Sequence, residues 1–295
     1  MSKIAYEIKT PKIVLKISIE EVNKLHIHEE IIPSILKQLV EKIRKDNVFK
    51  DPIIVDEKTL VVLDGMHRVA ASKELGLKYI PVCLIDYDNP NVGLYTWVRV
   101  VKYKKTMTRD QESLRKEILD VINRRGYRQV YIPSMDAGHE MLSRRELVSL
   151  LVLGRSYIGI RSRTHDIKLI YDELKNIEEA IIHRGFSIEY HTEKDALELV
   201  NTGEAISAII PPVIRKDEVR EISLRGEVFI HKATRHVIPA RPMGINLPLE
   251  YLTSKYTINE ALDRLLSILS NRALKVLPPG SILDRRYDEE LYVFE

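Results

Sequence analysis

The chain has 295 residues and carries 46 lysines and arginines against 43 aspartates and glutamates, a net charge of +3. So small a basic excess, with both signs interspersed, lacks the one-sided charge of non-specific nucleic-acid binders, and no nucleic-acid partner is expected. A single cysteine, Cys83, excludes a disulfide framework, and no stretch approaches the ~20 apolar residues of a membrane span, so the expected setting is the cytoplasm with no membrane partner.

The length predicts two domains. Lys12 to Ile19 alternates apolar and polar residues and reads as a strand, with a helical turn expected at Glu20-Glu21. A loop through His26, His28, Glu29 and Glu30 leads to a helix with Pro33 in its first turn and a buried stripe of Ile35, Leu36, Leu39, Val40 and Ile43. Glu29 and Glu30 stand at the mouth of this helix, where the dipole favours a carboxylate whatever its role. His26 and His28 have no third ligand at a familiar zinc spacing.

Ile53 to Val55 and Leu60 to Leu63 read as buried strands, after which Asp64-Gly65 breaks the pattern and a helix begins, its apolar positions keeping helical spacing from Val69 until Gly76 ends it. A strand that ends at glycine and restarts as a helix presents backbone N–H groups and the positive end of a dipole, an arrangement that binds phosphate. His67 and Arg68 lie in the first turn, and a guanidinium can hold two phosphate oxygens at once. The Asp64 carboxylate suits a magnesium ion or a ribose hydroxyl. An ordinary strand–turn–helix corner with a solvated arginine is the plain alternative.

Ile80 to Ile85 is a further strand containing Cys83, read as a small core residue, and Leu94 to Val101 is another, containing Trp97, the one tryptophan. The composition turns strongly charged after Lys102, which places a domain boundary there. Next are predicted a helix from Ser113 to Gly126, a strand Arg128 to Ile132, and a hairpin of 147–153 and 156–160 turning at Gly154-Arg155. A helix from Asp166 to His183, a strand Phe186 to Tyr190, a helix opened by Thr192-x-x-Asp195 and a strand Ala205 to Ile210 come after it.

A helix from Lys216 to Leu224 precedes Gly226 to Pro239, where Lys232, Thr234, Arg235 and His236 put two cations, a hydroxyl and an imidazole within five residues. In extended chain Lys232, Thr234 and His236 face one side, which suits a small carboxylate or phosphate; a solvated edge strand is the alternative. Asn259 to Ile268 reads as an amphipathic helix, and the apolar end LYVFE suits docking on a core or a partner.

Asp64-Gly65-x-His67-Arg68, after a β-rich start and before a small-residue helix, resembles the nucleotide-binding corner of the ParB/sulfiredoxin-like fold. The ordered set of His28-Glu29, that corner, Tyr95-Thr96-Trp97, Gly226-Glu227-Val228 and Lys232-x-Thr234-Arg235-His236-Val237-x-Pro239 resembles the archaeal free L-serine kinases over about residues 10–250. The resemblance implies an α/β (α+β) fold with a mixed-sheet nucleotide-binding domain at 1–105, a second α/β domain at 106–255, a helical extension at 256–295, and an active site in the interdomain cleft. It also implies phosphorylation of L-serine to O-phosphoserine by ATP or ADP with Mg²⁺. In those terms Glu29 and Asp64 are the candidate catalytic carboxylates, with Glu29 acting on the serine hydroxyl. Asp64, Gly65, His67 and Arg68 hold the nucleotide, while Trp97, Lys232, Thr234, Arg235 and His236 hold the substrate. Mg²⁺ is carried mainly by the nucleotide phosphates, with Asp64 as a candidate ligand.

The 30% charged content and only three glutamines, Gln38, Gln111 and Gln129, fit a thermophile. Walker A and protein-kinase signatures are absent from the sequence. The alternative function is a ParB-like DNA-partition or regulatory protein, which requires a helix-turn-helix. A sulfiredoxin-like reductase requires an exposed nucleophilic cysteine.

Overall fold

The computed structural model describes residues 3–103 and 110–295, which form two compact units. The first takes in residues up to Gly93, Val219–His231 and His236–Glu295; the second takes in Leu94–Glu218 and Lys232–Arg235.

The first unit is built on a mixed five-stranded sheet in the order Ile4–Lys9, Val14–Glu21, Tyr79–Ile85, Ile53–Asp56, Val62–Asp64. Only the pairing of Ile53–Asp56 with Tyr79–Ile85 is parallel; the others are antiparallel. Both central strands are buried along their whole length, which is why they read as continuous apolar runs rather than alternating ones. The Pro33–Asp46 helix starts on proline as expected, and its Val40 and Ile43 pack against Ala71 of the Met66–Glu74 helix. Ile35, expected in that stripe, is exposed. The helical turn expected to start at Glu20-Glu21 forms just after them, as a 3-10 turn over Val22–Lys24 with Glu21 at its N-cap, because Glu20 and Glu21 still pair with Ile80 and Tyr79 in the strand Val14–Glu21.

The carboxy-terminal residues belong to this first unit. A capping box of Thr257 and Glu260 opens the Ile258–Ser270 helix, which buries Ala261, Leu262, Leu265 and Leu269. The apolar end LYVFE supplies the strand Glu290–Phe294, which runs parallel to Ala240–Met243 and antiparallel to Leu274–Leu277. The tail expected as a helical extension is thus a helix and two strands inside the unit that begins the chain.

The second unit is an antiparallel six-stranded sheet in the order Phe186–His191, Val98–Tyr103, Ser207–Ile210, Leu147–Leu153, Ser156–Arg161, Gln129–Ile132. Val98, Val100, Leu150, Val152, Ala208 and Ile210 alternate onto one face, where Leu142 of the Met135–Ser143 helix and Ala196 and Val200 of the Glu193–Asn201 helix cover them. The Ile167–His183 helix belongs to the same unit and buries Ile170, Tyr171, Leu174 and Ile177. The predicted hairpin turns at Gly154-Arg155, and Asp110, Asp166 and Thr192 each cap a helix start by accepting a backbone N–H.

The expected domain boundary at 105/106 lies outside the described residues. The units divide earlier, between Gly93 and Leu94, because Val98–Tyr103 pairs with Phe186–His191 and Ser207–Ile210. The strand expected over Leu94 to Val101 is broken at Thr96-Trp97. Among the described residues no helix is long and apolar enough to cross a membrane.

Candidate functional site

In the first unit the strand Val62–Asp64 ends at Gly65, whose φ of +100° caps the Met66–Glu74 helix. A Cβ at Gly65 would lie 2.5 Å from Ile53 Cγ2 and 2.8 Å from Arg68 Nη2, so both the backbone angle and the space require glycine. The amides of Arg68 and Val69 donate to the Gly65 carbonyl at 2.8 and 3.1 Å. The helix start therefore closes tightly, with its positive dipole end at the corner the sequence marks out.

Arg68 differs from the expected free fork. Its Nη1 donates to the carbonyls of Asp51 and Pro52 at 2.8 and 3.0 Å, and its Nη2 donates to Asp64 at 2.8 Å. Two edges of the guanidinium are thus used to hold the corner in shape. Asp64 also accepts from Arg241 Nη1 at 2.6 Å. Burial opposes ionisation of Asp64, but Arg241 and Arg68 outweigh it and hold the carboxyl well below the usual carboxylate range. A carboxylate already matched by two guanidiniums is a poor ligand for magnesium, and among the described residues no group of three or more His, Cys, Asp or Glu is placed to hold a metal ion.

His67 Nε2 accepts the backbone N–H of Ile32 at 3.0 Å, which leaves the proton of the neutral ring on Nδ1. That bond ties the Gly65–Arg68 corner to the Glu29–Ile32 stretch. The chain on either side of Glu29 is itself clamped: Phe229 donates to the His28 carbonyl at 2.8 Å and Glu30 donates to the Phe229 carbonyl at 2.9 Å. Glu29 is buried between these bonds. The His28 ring is buried, its Nδ1 donates to the Val62 carbonyl at 2.9 Å, and burial pushes its pKa down, so it is neutral.

His236 packs edge-on against His28, with ring centroids 5.3 Å apart, and its Nε2 lies 2.7 Å from the Tyr87 hydroxyl. Burial raises the Tyr87 pKa and keeps that hydroxyl protonated. Arg220 lies over the Tyr87 ring and is fixed by Asp56 at 2.9 Å and Asp88 at 2.7 Å.

In the second unit Lys232 and Arg235 flank the Trp97 ring, at 5.1 and 5.5 Å from its centroid. Thr96 Oγ1 donates to the Ala233 carbonyl at 3.1 Å, fixing the turn, and Thr234 is buried. The expected alternation of Lys232, Thr234 and His236 is not formed. Lys232 has a left-handed φ of +61° and the strand begins only at Arg235, so Lys232–Arg235 gather on Trp97 while His236 belongs with Tyr87 and His28.

A cavity of about 290 Å³ opens beside the corner in the first unit. Asp64, Arg68 and Arg241 are among its charged lining residues, and Ile43, Phe49 and Met243 are among its apolar ones. Arg241, Tyr87 and Arg220 were not marked by the sequence. Tyr87 falls in the polar stretch Asp86 to Asn91, and a lone arginine in a short apolar stretch carries no sign that its partner lies near residue 64.

No family model matches the chain. An ATP-dependent L-serine kinase of Staphylothermus marinus is 34% identical over 260 residues, 83% of this chain and 96% of that protein. An ADP-dependent L-serine kinase of Thermococcus kodakarensis is 28% identical over 237 residues, 79% of this chain and 91% of that protein. A solved free serine kinase in complex with AMP is 27% identical, with a TM-score of 0.64 over 84% of this chain and 97% of the other. Sequence identity over nearly the whole of these relatives agrees with the shared fold: the chain belongs to the L-serine kinase family.

Proposed function

We propose that the chain transfers a phosphoryl group from ATP or ADP to the hydroxyl of free L-serine, forming O-phospho-L-serine. Membership of the family supports this activity. The observation that carries it is the His67–Ile32 bond of 3.0 Å, which couples the anion-binding corner to the segment that bears Glu29. A buried carboxylate held by its own backbone three residues from that bond is suited to accept the serine hydroxyl proton as the phosphoryl group moves.

The corner supplies the donor site. The positive end of the Met66–Glu74 helix and the His67 ring suit phosphate oxygens, while Arg68 and Arg241, locked on Asp64, add fixed positive charge. The neighbouring cavity, lined by Asp64, Arg68 and Arg241, takes part of the donor. Asp64 acts by holding the two arginines. Among the described residues no carboxylate cage is formed, so Mg²⁺ would be held mainly by the nucleotide phosphates, where it would supply charge neutralisation.

Lys232 and Arg235 on either side of Trp97, with Thr234 beside them, suit the carboxylate of the amino acid. Purified protein incubated with L-serine, Mg²⁺ and either ATP or ADP, then assayed for O-phosphoserine, tests the reading. Product with at least one donor is expected, and absence of product with both overturns it.

A further inference from the structure

Resting on that reading, we propose that the carboxy-terminal segment 281–288 is a nucleotide-recognition element in which Arg285 binds the phosphate tail of the donor. The family resemblance spans about residues 10–250 and does not reach this segment. Yet Asp284, Arg285 and Tyr287 line the same cavity of about 290 Å³ as Asp64 and Arg68. That volume is close to the ~300 Å³ lower bound of small-molecule sites.

The segment is held in place. Gly280 donates to the Tyr287 carbonyl at 2.7 Å and Tyr287 donates to the Ser281 carbonyl at 3.0 Å, closing a loop. The buried Tyr287 ring fixes that loop to the unit, and its hydroxyl donates to Asp284 at 2.7 Å. The Arg285 guanidinium lies 4.2 Å over the Tyr287 ring centroid, so its plane is set before any ligand arrives.

The electrostatics select an anion. Arg241 joins the corner to this part of the chain, donating to Asp64 at 2.6 Å and to Glu289 at 2.7 Å. Asp64 is therefore matched by Arg68 and Arg241, and Asp284 is satisfied by Tyr287. Arg285 stands at a long 4.0 Å from Glu289, and its side chain is 58% exposed. A preset guanidinium lining the same cavity as Asp64, Arg68 and Arg241 fits the terminal phosphate of a nucleoside di- or triphosphate.

The test uses the full chain and titration calorimetry with ADP, ATP and AMP against the parent, Arg285→Gln and Arg285→Lys. Loss of one charge-assisted contact predicts roughly 10-fold weaker ADP and ATP binding to Arg285→Gln. AMP binding stays within about 2-fold and Arg285→Lys falls in between. Arg285→Gln that binds ADP and ATP within about 2-fold of the parent overturns the proposal alone. A parent that binds none of the three nucleotides overturns both the proposal and the kinase reading.

Discussion

Arg241 and Asp64 stand 177 positions apart in the chain and meet at 2.6 Å, so the carboxylate that ends the Val62–Asp64 strand is locked by a residue from the far end of the same unit. Replacing it as Asp64→Asn leaves Arg68 and Arg241 without their common counter-charge. Removing one partner of a buried ion pair costs several kcal/mol, but the Asp64 side chain is 39% exposed. With that screening, about 1–2 kcal/mol of stability is lost, together with roughly a 10-fold rise in nucleotide KM. Urea melts and initial rates check the two effects. Because the native pKa of Asp64 is depressed, its contribution is present above about pH 4 and is lost as pH falls further.

His28 gives a second pH effect in a different window. Its native pKa is pushed down by burial, so the unfolded chain takes up a proton below about pH 6.5 while the folded chain resists it. Stability is fully present above that pH and declines as pH falls toward the native value. Thermal melts from pH 8 to 5 show this fall, and the slope is smaller in His28→Gln.

The second unit carries a buried pair that tests stability apart from the nucleotide corner. Arg99 Nε donates to Glu178 at 2.6 Å, both residues are buried, and the guanidinium also lies over the rings of Tyr171 and Tyr190. Glu178→Ala leaves an uncompensated charge in the core and costs about 3–5 kcal/mol. The double change Arg99→Met with Glu178→Leu recovers most of that loss. Denaturant midpoints of the three proteins decide it.

Cys83 lies in the middle of the buried Tyr79–Ile85 strand, and burial pushes its thiol up to about 12. Native protein at pH 8 therefore reacts with a thiol reagent at least 100-fold more slowly than unfolded protein. Equal rates would reopen the reductase chemistry that an exposed cysteine beside the Gly65–Arg68 corner would allow.

The parts of the site that could be read from sequence were those where local chemistry fixes the backbone. An apolar run that stops at Asp64-Gly65 and a proline at the start of a helix give the corner and the Pro33–Asp46 helix. The hairpin at Gly154-Arg155 and the Thr192 cap were visible for the same reason. What escaped depended on distant partners. Polar alternation over 232–236 suggested an extended strand, whereas Thr96 and Trp97 draw Lys232–Arg235 into a turn with Lys232 left-handed. Arg68 looked available for phosphate because the carbonyls of Asp51 and Pro52 that it caps leave no mark in the sequence. The tail read correctly as apolar, but its partner strand Ala240–Met243 was not apparent.

The most direct measurement of the account is the single-turnover rate of Glu29→Gln, set beside its nucleotide affinity. The buried, backbone-clamped Glu29 is assigned to the serine hydroxyl and not to the nucleotide. O-phosphoserine formation is expected to fall by 10²–10⁴-fold while ADP and ATP dissociation constants stay within about 3-fold. A variant that forms product at the parent rate would contradict the assignment of Glu29 as the proton acceptor.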